Sequence, residues 1–440
     1  MDRTSPRVPA YALKGVSQDT PRYPISMLQL TRLSSLLVAL LCASATFAQA
    51  PDVKSYLRVV DVDDQTIRLD IAFRIFAPAS GTGPTIVLAG AIHIADESYY
   101  ELAQQYLDAQ DLVLFEGVGM HEKADDSPAG KAAKTKDHLR AIATVIERYK
   151  TKREAYPENL PALVKAAHEQ SRVFGGRVQR AAVDAWGRPL VYAKTETGFT
   201  LISHGADGKV GGEAFDGDLA FADQKPLTKE EISTKGGIQG DLADALGLTF
   251  QLNAFDTGKK NYVNSDMALA AVQERAKAGG GDANALVSMM DGSGLMAGVM
   301  KIGLALIRSS PRMQGTMKVM MMEMLQQVGD DMMKMKQIPP NMKALLKVLI
   351  EDRNQIVVDD LKKEIAKGNA ANAPQSIAVW YGAGHMKDLE QRLVTQLGYK
   401  AVANFWLPAI TTDISKAGMT KTDLNATRAM LQRMLGSMKE

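Results

Sequence analysis

Two histidines and one glutamate each follow a short apolar run with the length of a buried strand. His93 comes shortly after TIVLAG, Glu116 directly after LVLF, and His385 directly after SIAVWYGAG. Imidazole and carboxylate groups bind divalent metal ions, and they also transfer protons in catalysis. Three such side chains that meet could hold an ion with an open position for water, or activate that water as a base.

The segment between His93 and Glu116 predicts how these two residues are positioned. Ser98 and Glu101 form a capping-box pattern, and apolar residues then recur at helical spacing up to Leu107. A strand, a helix and a strand at this spacing predict a right-handed crossover between parallel strands. We therefore expect His93 and Glu116 to be neighbours at the carboxyl ends of adjacent strands, where open α/β sheets bind ligands.

Each histidine, taken alone, is also typical of a hydrogen-bonded residue in a turn. The chain has two Gly-x-x-His matches, however, Gly90 to His93 and Gly382 to His385, and each follows an apolar strand. Together with Glu116, the two matches favour a ligand-binding or catalytic site.

This pattern resembles the TraB/TIKI family. The matching residues are Gly90, His93, Phe115, Glu116, Arg353, Asn354, Gly382 and His385. The resemblance implies an α/β fold with a central mixed, largely parallel sheet, flanking helices and pseudo-symmetric halves, related to the erythromycin-esterase and haem-binding ChaN folds. For the TIKI branch it implies a divalent-metal-dependent peptidase acting on a peptide or protein. One departure is that Asp352 stands directly before Arg353, where the family has glutamate.

We therefore expect His93 and His385 to bind a divalent ion, with Glu116 as a third ligand or as the base that deprotonates bound water. A mixed nitrogen and oxygen shell suits Mn, Co or Zn alike. Arg353 would stabilise the developing oxyanion. Asn354 is a secondary candidate. The same resemblance implies a glutamine-containing strand near Gln251 and an aspartate close to it, so Gln251, Asn264 and Asp266 are further secondary candidates. Such residues are also typical of caps and turns.

Residues 1–50 are predicted to be an upstream extension and a signal peptide. Arg32 precedes a short apolar core, and Ala48 to Ala50 form a small-residue cleavage site. The run is too short for a stable membrane span, which predicts a periplasmic or secreted protein. Because Cys42 is the only cysteine, the mature chain has neither disulfides nor a thiolate nucleophile. The near-neutral mature charge argues against nucleic acid as a partner.

Residues 130–225 differ in character from their surroundings. A helix, a Tyr-Pro turn, the element DAWGRP and the loop SHGADGKVGG ending in DGD resemble the type II secretion major pseudopilin. The hydrophobic N-terminal half of the pilin helix is absent. Asp207, Asp216 and Asp218 offer the oxygen ligands that Ca²⁺ prefers, although a solvated acidic loop has the same composition.

The insert divides the TraB/TIKI-like core into residues 51–129 and residues 226–440. The second part has helices rich in methionine, which are interpreted as core or as an adaptable peptide groove. His121 is a reserve ligand near Glu116, and His204 is interpreted as structural. The alternative to a hydrolase is a non-enzymatic binding or scaffold protein linked to type II secretion through its insert.

Overall fold

The computed structural model describes residues 55–117, 126–227, 237–279, 304, 307–331 and 345–436. The predicted signal peptide, His121 and much of the methionine-rich segment lie outside these residues. The strands are β1 (Leu57–Asp61), β2 (Thr66–Pro78), β3 (Thr85–Ala91), β4 (Ile94–Ala95), β5 (Leu112–Phe115), β6 (Val191–Lys194), β7 (Phe199–Ser203), β8 (Leu219–Ala220), β9 (Thr249–Phe250), β10 (Tyr262–Asn264), β11 (Ser376–Gly382) and β12 (Tyr399–Asp413).

Helices lie between these strands. They are α1 (Glu97–Asp108), α2 (Pro128–Arg153), α3 (Leu160–Gln170), α4 (Arg172–Ala181), α5 (Gly237–Leu246), α6 (Gln251–Ala254), α7 (Leu269–Ala278), α8 (Pro311–Asp331), α9 (Arg353–Ile365), α10 (Met386–Leu397) and α11 (Lys421–Gly436). A π-helical turn, Lys347–Asp352, precedes α9, and a 3₁₀ turn, Ala383–His385, precedes α10.

A mixed seven-stranded sheet forms the centre of the described structure. Its order is β1-β2-β3-β11-β5-β10, and β12 also pairs with β2. β3, β11, β5 and β10 run parallel, whereas β1, β2 and β12 pair antiparallel. β1 and β2 form an antiparallel hairpin.

The prediction that β3 and β5 are adjacent strands is wrong, because β11 lies between them. Residues 376–382 of β11 pair with 85–91 of β3, and residues 377–380 pair with 112–115 of β5. The order cannot be inferred from the crossover alone, since a strand from the far end of the chain is inserted between its two strands. As a consequence, Gly382 and His385 lie between the strand that precedes His93 and the strand that ends at Glu116.

Helices cover both faces of the sheet because its central strands are apolar on both sides. On one face Val87, Ala89 and Trp380 pack in a cluster that includes residues of α1, α5 and α8. On the other face Leu88 and Val379 pack with residues of α9 and α10. This three-layer arrangement fixes α9 and α10 against the sheet, and so fixes the residues at their N-termini.

Residues within 130–225 have an apolar cluster and a sheet of their own. α2, α3 and α4 pack against the three-stranded sheet β6-β7-β8 around Leu139, Ile146 and Leu163. β6 and β7 of this sheet form a hairpin. Arg180 joins the segment to the rest of the chain through two hydrogen bonds to the buried carboxylate of Asp256, at 2.9 and 2.5 Å.

Two local predictions are wrong. α1 begins at Glu97 with Asp96 at its N-cap, so Ser98 lies inside the helix and forms no capping box. The carboxylate of Asp96 instead accepts a hydrogen bond from the Thr411 amide of β12. Gln251, expected on a strand, begins the short helix α6. In both places a contact with a distant segment outweighs the local pattern.

Gly175 is expected to resist substitution because α3 and α4 approach closely there. A Cβ atom on Gly175 would lie 2.2 Å from Cγ and 2.6 Å from Cα of His168. Gly175→Ala should therefore lower the free energy of unfolding by about 1–3 kcal/mol, as overpacking does. Gly240→Ala is the control, since nothing lies within 4 Å of its added Cβ. In α5 it should raise stability by up to about 1 kcal/mol. Urea denaturation of both variants checks this, and equal effects would contradict it.

Candidate active site

Glu116 leaves the carboxyl end of β5 and contacts the end of β11. Its Oε2 accepts a hydrogen bond from the Gly382 amide at 2.7 Å, and its own amide donates to the Trp380 carbonyl at 3.0 Å. Oε1 lies 3.7 Å from Nε2 of His385. The strand pairing therefore brings the predicted carboxylate and one predicted imidazole together.

Arg353 is the cation of this site. It is 6% exposed, and its Nη2 lies 2.7 Å from both Glu116 Oε1 and Asp266 Oδ2. Nε donates to Asp266 Oδ1 at 2.8 Å, and Nη1 donates to the Leu349 carbonyl at 3.2 Å. That carbonyl belongs to the π-helical turn, a feature that often occurs at functional sites. One guanidinium thus holds two carboxylates from the ends of β5 and β10.

The ring orientation of His385 is set by Asn354 at the start of α9. Nδ1 of His385 lies 2.8 Å from Oδ1 of Asn354. The Asn354 amide nitrogen donates to Asp388 Oδ2 at 2.8 Å and to the His385 carbonyl at 3.2 Å. With its nitrogen so used, Asn354 presents oxygen to the ring, which assigns the proton to Nδ1. Nε2 is then an acceptor that faces Glu116 and Arg353.

Asp388 completes this network and was missed in the sequence analysis. It accepts from Asn354 and, at 2.6 Å, from Nε of Arg392, whose Nη1 donates to Gln355 Oε1 at 2.6 Å. Asp388 stands three residues after His385, in the first turn of α10. A carboxylate at this spacing was the signal that could have identified it, because it faces the turn that carries the histidine.

The charges of the site act in opposite directions on its two acid-base groups. Burial raises the pKa of Glu116, but interactions with His385, Arg353 and His93 and the hydrogen bond from the Gly382 amide together lower it to about 2. Burial lowers the pKa of His385, with Glu116 opposing the shift and Arg353 adding to it. At neutral pH the site therefore contains an ionised carboxylate beside a neutral imidazole.

The depressed pKa of Glu116 predicts acid sensitivity. A carboxyl group with a folded-state pKa below its unfolded value stabilises the protein above the unfolded value, and loses that contribution as pH falls. The pKa of Glu116 falls from its usual 4.5 to about 2. This stabilising contribution is therefore on the order of 3 kcal/mol at neutral pH, and it disappears between about pH 5 and pH 2. Glu116→Gln should flatten the pH dependence of the free energy of unfolding in that window. The exposed Glu213→Gln should retain the wild-type slope; a shared slope for all three proteins would contradict the prediction.

His93 is close enough to this cluster to contribute to the lowered pKa of Glu116, but its side chain is exposed. Its carbonyl accepts from the Gln251 amide at 2.8 Å, which attaches the His93 loop to α6. Within the described residues, no three His, Cys, Asp or Glu side chains are arranged to hold a metal ion. Both oxygens of Glu116 are already engaged by Arg353 and Gly382. The donor set thus does not fit a bound divalent ion in this arrangement, and the metal assignment stays a prediction.

The acidic loop of the insert is held by protein groups. Asp218 pairs with His204 Nδ1 at 2.9 Å and accepts from the Gly211 amide at 3.1 Å, while Asp207 accepts from Lys209 at 2.9 Å. Arg188 donates to the loop carbonyls of Gly205 and Ala206, both at 2.6 Å. Asp207, Asp216 and Asp218 therefore form no ready ion site among the described residues. The calcium assignment also stays a prediction.

The other residues singled out from the sequence lie partly in this cluster and partly outside it. Asp266 and Asn354 belong to the cluster, as described above. Asn264 lies beside it, with its amide nitrogen donating to the Gly117 carbonyl at 3.0 Å. Gln251 only links α6 to the His93 loop. Asp352 pairs with Lys347 at 2.6 Å and Arg275 at 3.4 Å, so it acts in the π-helical turn.

Comparisons with known proteins identify the insert. Residues 123–221 match the family model described as type II secretion system, protein G. The type II secretion system core protein G of Pseudomonas aeruginosa is 37% identical over 98 residues, which are 20% of this chain and 69% of that protein. No solved structure matches the chain. The predicted pseudopilin-like resemblance is thus confirmed for this segment. Within the described residues, no helix is both long and apolar enough to cross a membrane.

Proposed function

This chain belongs to the type II secretion system protein G family through residues 123–221, and from that premise we propose that it is an exported protein that docks to a type II secretion apparatus. The observation that carries this proposal is the family match of the insert. A protein in this role would work in the periplasm or outside the cell.

The acidic loop of the insert is the surface best suited to such docking. Val210 is 83% exposed and Phe215 is 45% exposed, although both are large apolar side chains. Hydrogen bonds from His204, Arg188 and backbone amides hold the loop around them, so little conformational entropy would be lost on binding. The ion pair between Arg180 and Asp256 would connect the docked segment to the rest of the chain, including the central sheet.

Co-precipitation of the full chain with the type II secretion pseudopilins of the same organism tests the docking role. Val210→Asp with Phe215→Asp should abolish co-precipitation, because both changes are on the exposed loop. Val62→Asp with Leu102→Asp is the matched control, since these side chains are 47% and 44% exposed outside the insert. The control and Glu116→Gln should bind like the wild type. Absence of wild-type binding would refute docking, and binding by the loop variant would refute the loop as the docking surface.

We infer, as a second function of the same chain, hydrolysis of a peptide bond at the ends of β5 and β11. A specific arrangement favours it: Nε2 of His385, which the hydrogen bond between Nδ1 and Asn354 leaves unprotonated, lies 3.7 Å from the carboxylate of Glu116, and both side chains are largely buried. Such a nitrogen can take a proton from water as the water attacks a carbonyl carbon. The TraB/TIKI resemblance, with its EreA/ChaN-like fold, is the reason to choose a peptide as the substrate.

In this hydrolase, the role of Arg353 differs from the expected stabilisation of an oxyanion. Its nitrogens face Glu116, Asp266, Leu349 and His385, which favours a role in holding the carboxylates over direct binding of an oxyanion. His385 is the proposed base. A divalent Mn, Co or Zn ion at His93, His385 and Glu116 would require Glu116 to release one of its partners.

Turnover of casein-derived peptides, measured with elemental analysis of the same protein, tests this second function. His385→Ala should lower the rate by about 10²- to 10⁴-fold, the usual effect of removing a general base. His93→Ala tests the metal site separately from the proposed base. Unchanged metal content and activity in this variant would refute the metal site. Full activity of His385→Ala would remove the hydrolase itself.

A further inference from the structure

A cleft of about 880 Å³ lies between the insert and the rest of the chain. α2, α3 and α4 form one wall, and Glu97, Thr249, Asn253 and Ala254 form the other. This volume is within the range of sites that bind small ligands or short peptide segments.

The insert wall is basic on an apolar background. Arg148 and Lys152 are four residues apart on α2 and so share one helix face. Both are exposed, and neither forms an ion pair with another described residue. Tyr149 and Phe174 line the same cleft and are half-buried. A ligand that satisfies this wall combines negative charge with apolar groups.

The other two cations of the cleft are already engaged by protein groups. Arg153 pairs with Glu169 at 3.4 Å, while Arg177 donates to the carbonyls of Leu252 and Phe255. Glu97 on the opposite wall has no cation at ion-pairing distance among the described residues. Arg148 and Lys152, on the insert side, are thus the two cations of the cleft that no described carboxylate or carbonyl engages.

The opposite wall continues to the candidate active site. Thr249 pairs with Ala95 and Phe250 pairs with Ile94, directly after His93. The Gln251 amide donates to the His93 carbonyl at 2.8 Å. Asn253, which lines the cleft, is two residues further along the same short helix. This wall of the cleft is therefore linked to the His93 loop through β9 and the start of α6.

We propose that the cleft binds the acidic portion of a peptide whose neighbouring residues extend past His93 toward Glu116 and His385. This inference deepens the proposed hydrolase and rests on it for the direction of the peptide. It specifies the substrate class: a peptide that carries glutamate or aspartate next to apolar residues. Arg148 and Lys152 supply its specificity, and Tyr149 and Phe174 contact its apolar side chains.

Fluorescence anisotropy with a labelled ten-residue peptide of alternating glutamate and leucine tests the proposal, with the glutamine-leucine peptide as its neutral counterpart. The full chain should bind the acidic peptide at least tenfold more tightly, and 0.5 M salt should remove most of that difference. Arg148→Gln with Lys152→Gln should weaken acidic-peptide binding about tenfold. Lys136→Gln with Lys165→Gln makes the same charge change at exposed positions outside the cleft, and should leave binding unchanged.

Equal affinity for both peptides, or equal affinity of the two double variants, would overturn the cleft assignment. The two proposals fail in different ways. Charge-dependent binding without cleavage would support the cleft and refute the hydrolase. Cleavage of both peptides at equal rates would support the hydrolase and refute the cleft as its specificity site.

Discussion

Replacing Arg353 by glutamine should lower the free energy of unfolding by about 3–5 kcal/mol, the cost of breaking a buried ion pair by removing one partner. Asp266 has a fully buried side chain and Glu116 is 20% exposed, and both accept hydrogen bonds from this guanidinium. Without it, two carboxylates from neighbouring strands face each other with no cation between them. Urea denaturation at pH 7 measures the loss.

Two further variants show that the loss comes from these carboxylates. Arg353→Lys keeps the charge but not the planar fork, so it should recover only part of the stability. Combining Arg353→Gln with Glu116→Gln and Asp266→Asn should cost less than Arg353→Gln alone, because no buried charge is then left unpaired. A loss below about 1 kcal/mol for Arg353→Gln would contradict the geometry of the cluster.

Replacing Asn354 by leucine should lower the turnover of the proposed hydrolase by about 10- to 100-fold, as loss of a partner that orients a functional histidine does. Leucine has the same branched shape as asparagine at Cγ but cannot accept the proton of His385 Nδ1. The imidazole is then free to rotate or to carry its proton on Nε2, where it cannot act as a base. The Michaelis constant should change little, since Asn354 is fully buried behind the ring.

Asn354→Asp distinguishes the effect of the orientation of the His385 ring from the effect of a charge beside it. It keeps an oxygen against Nδ1 but places a negative charge beside His385 and Asp388, which should raise the pKa of the imidazole. The acid limb of the pH-rate profile should therefore move to higher pH in Asn354→Asp, and should not do so in Asn354→Leu. Identical profiles for the two variants would contradict the assigned role of Asn354.

The strands of the site were predictable, but their neighbours were not. The positions of β3, β5 and β11 could be predicted from apolar runs that each lead to a polar residue. All three strands end at the same edge of the sheet. Periodicity within a run carries no information about which run lies beside it. The position of β11 between β3 and β5 therefore required the complete fold.

The network behind the histidine was the part least accessible from sequence. Asn354 entered only through a family resemblance, and Asp388 was not identified, because side-chain hydrogen bonds between two helix N-termini leave no periodic pattern. The engagement of Glu116 by Arg353 was also missed. Burial and ion pairing depend on packing between α9, α10 and the sheet, which only the coordinates describe.

Nitrogen-15 NMR of the His385 ring at pH 7 tests the central claim most directly, which is that the strand ends assemble a neutral imidazole with an unprotonated Nε2 beside Glu116. We expect a protonated Nδ1 and an unprotonated Nε2, with protonation of Nε2 only below the usual pKa of histidine. Asn354→Leu should abolish this preference. An imidazolium at pH 7, or a proton on Nε2 in the wild type, would contradict it.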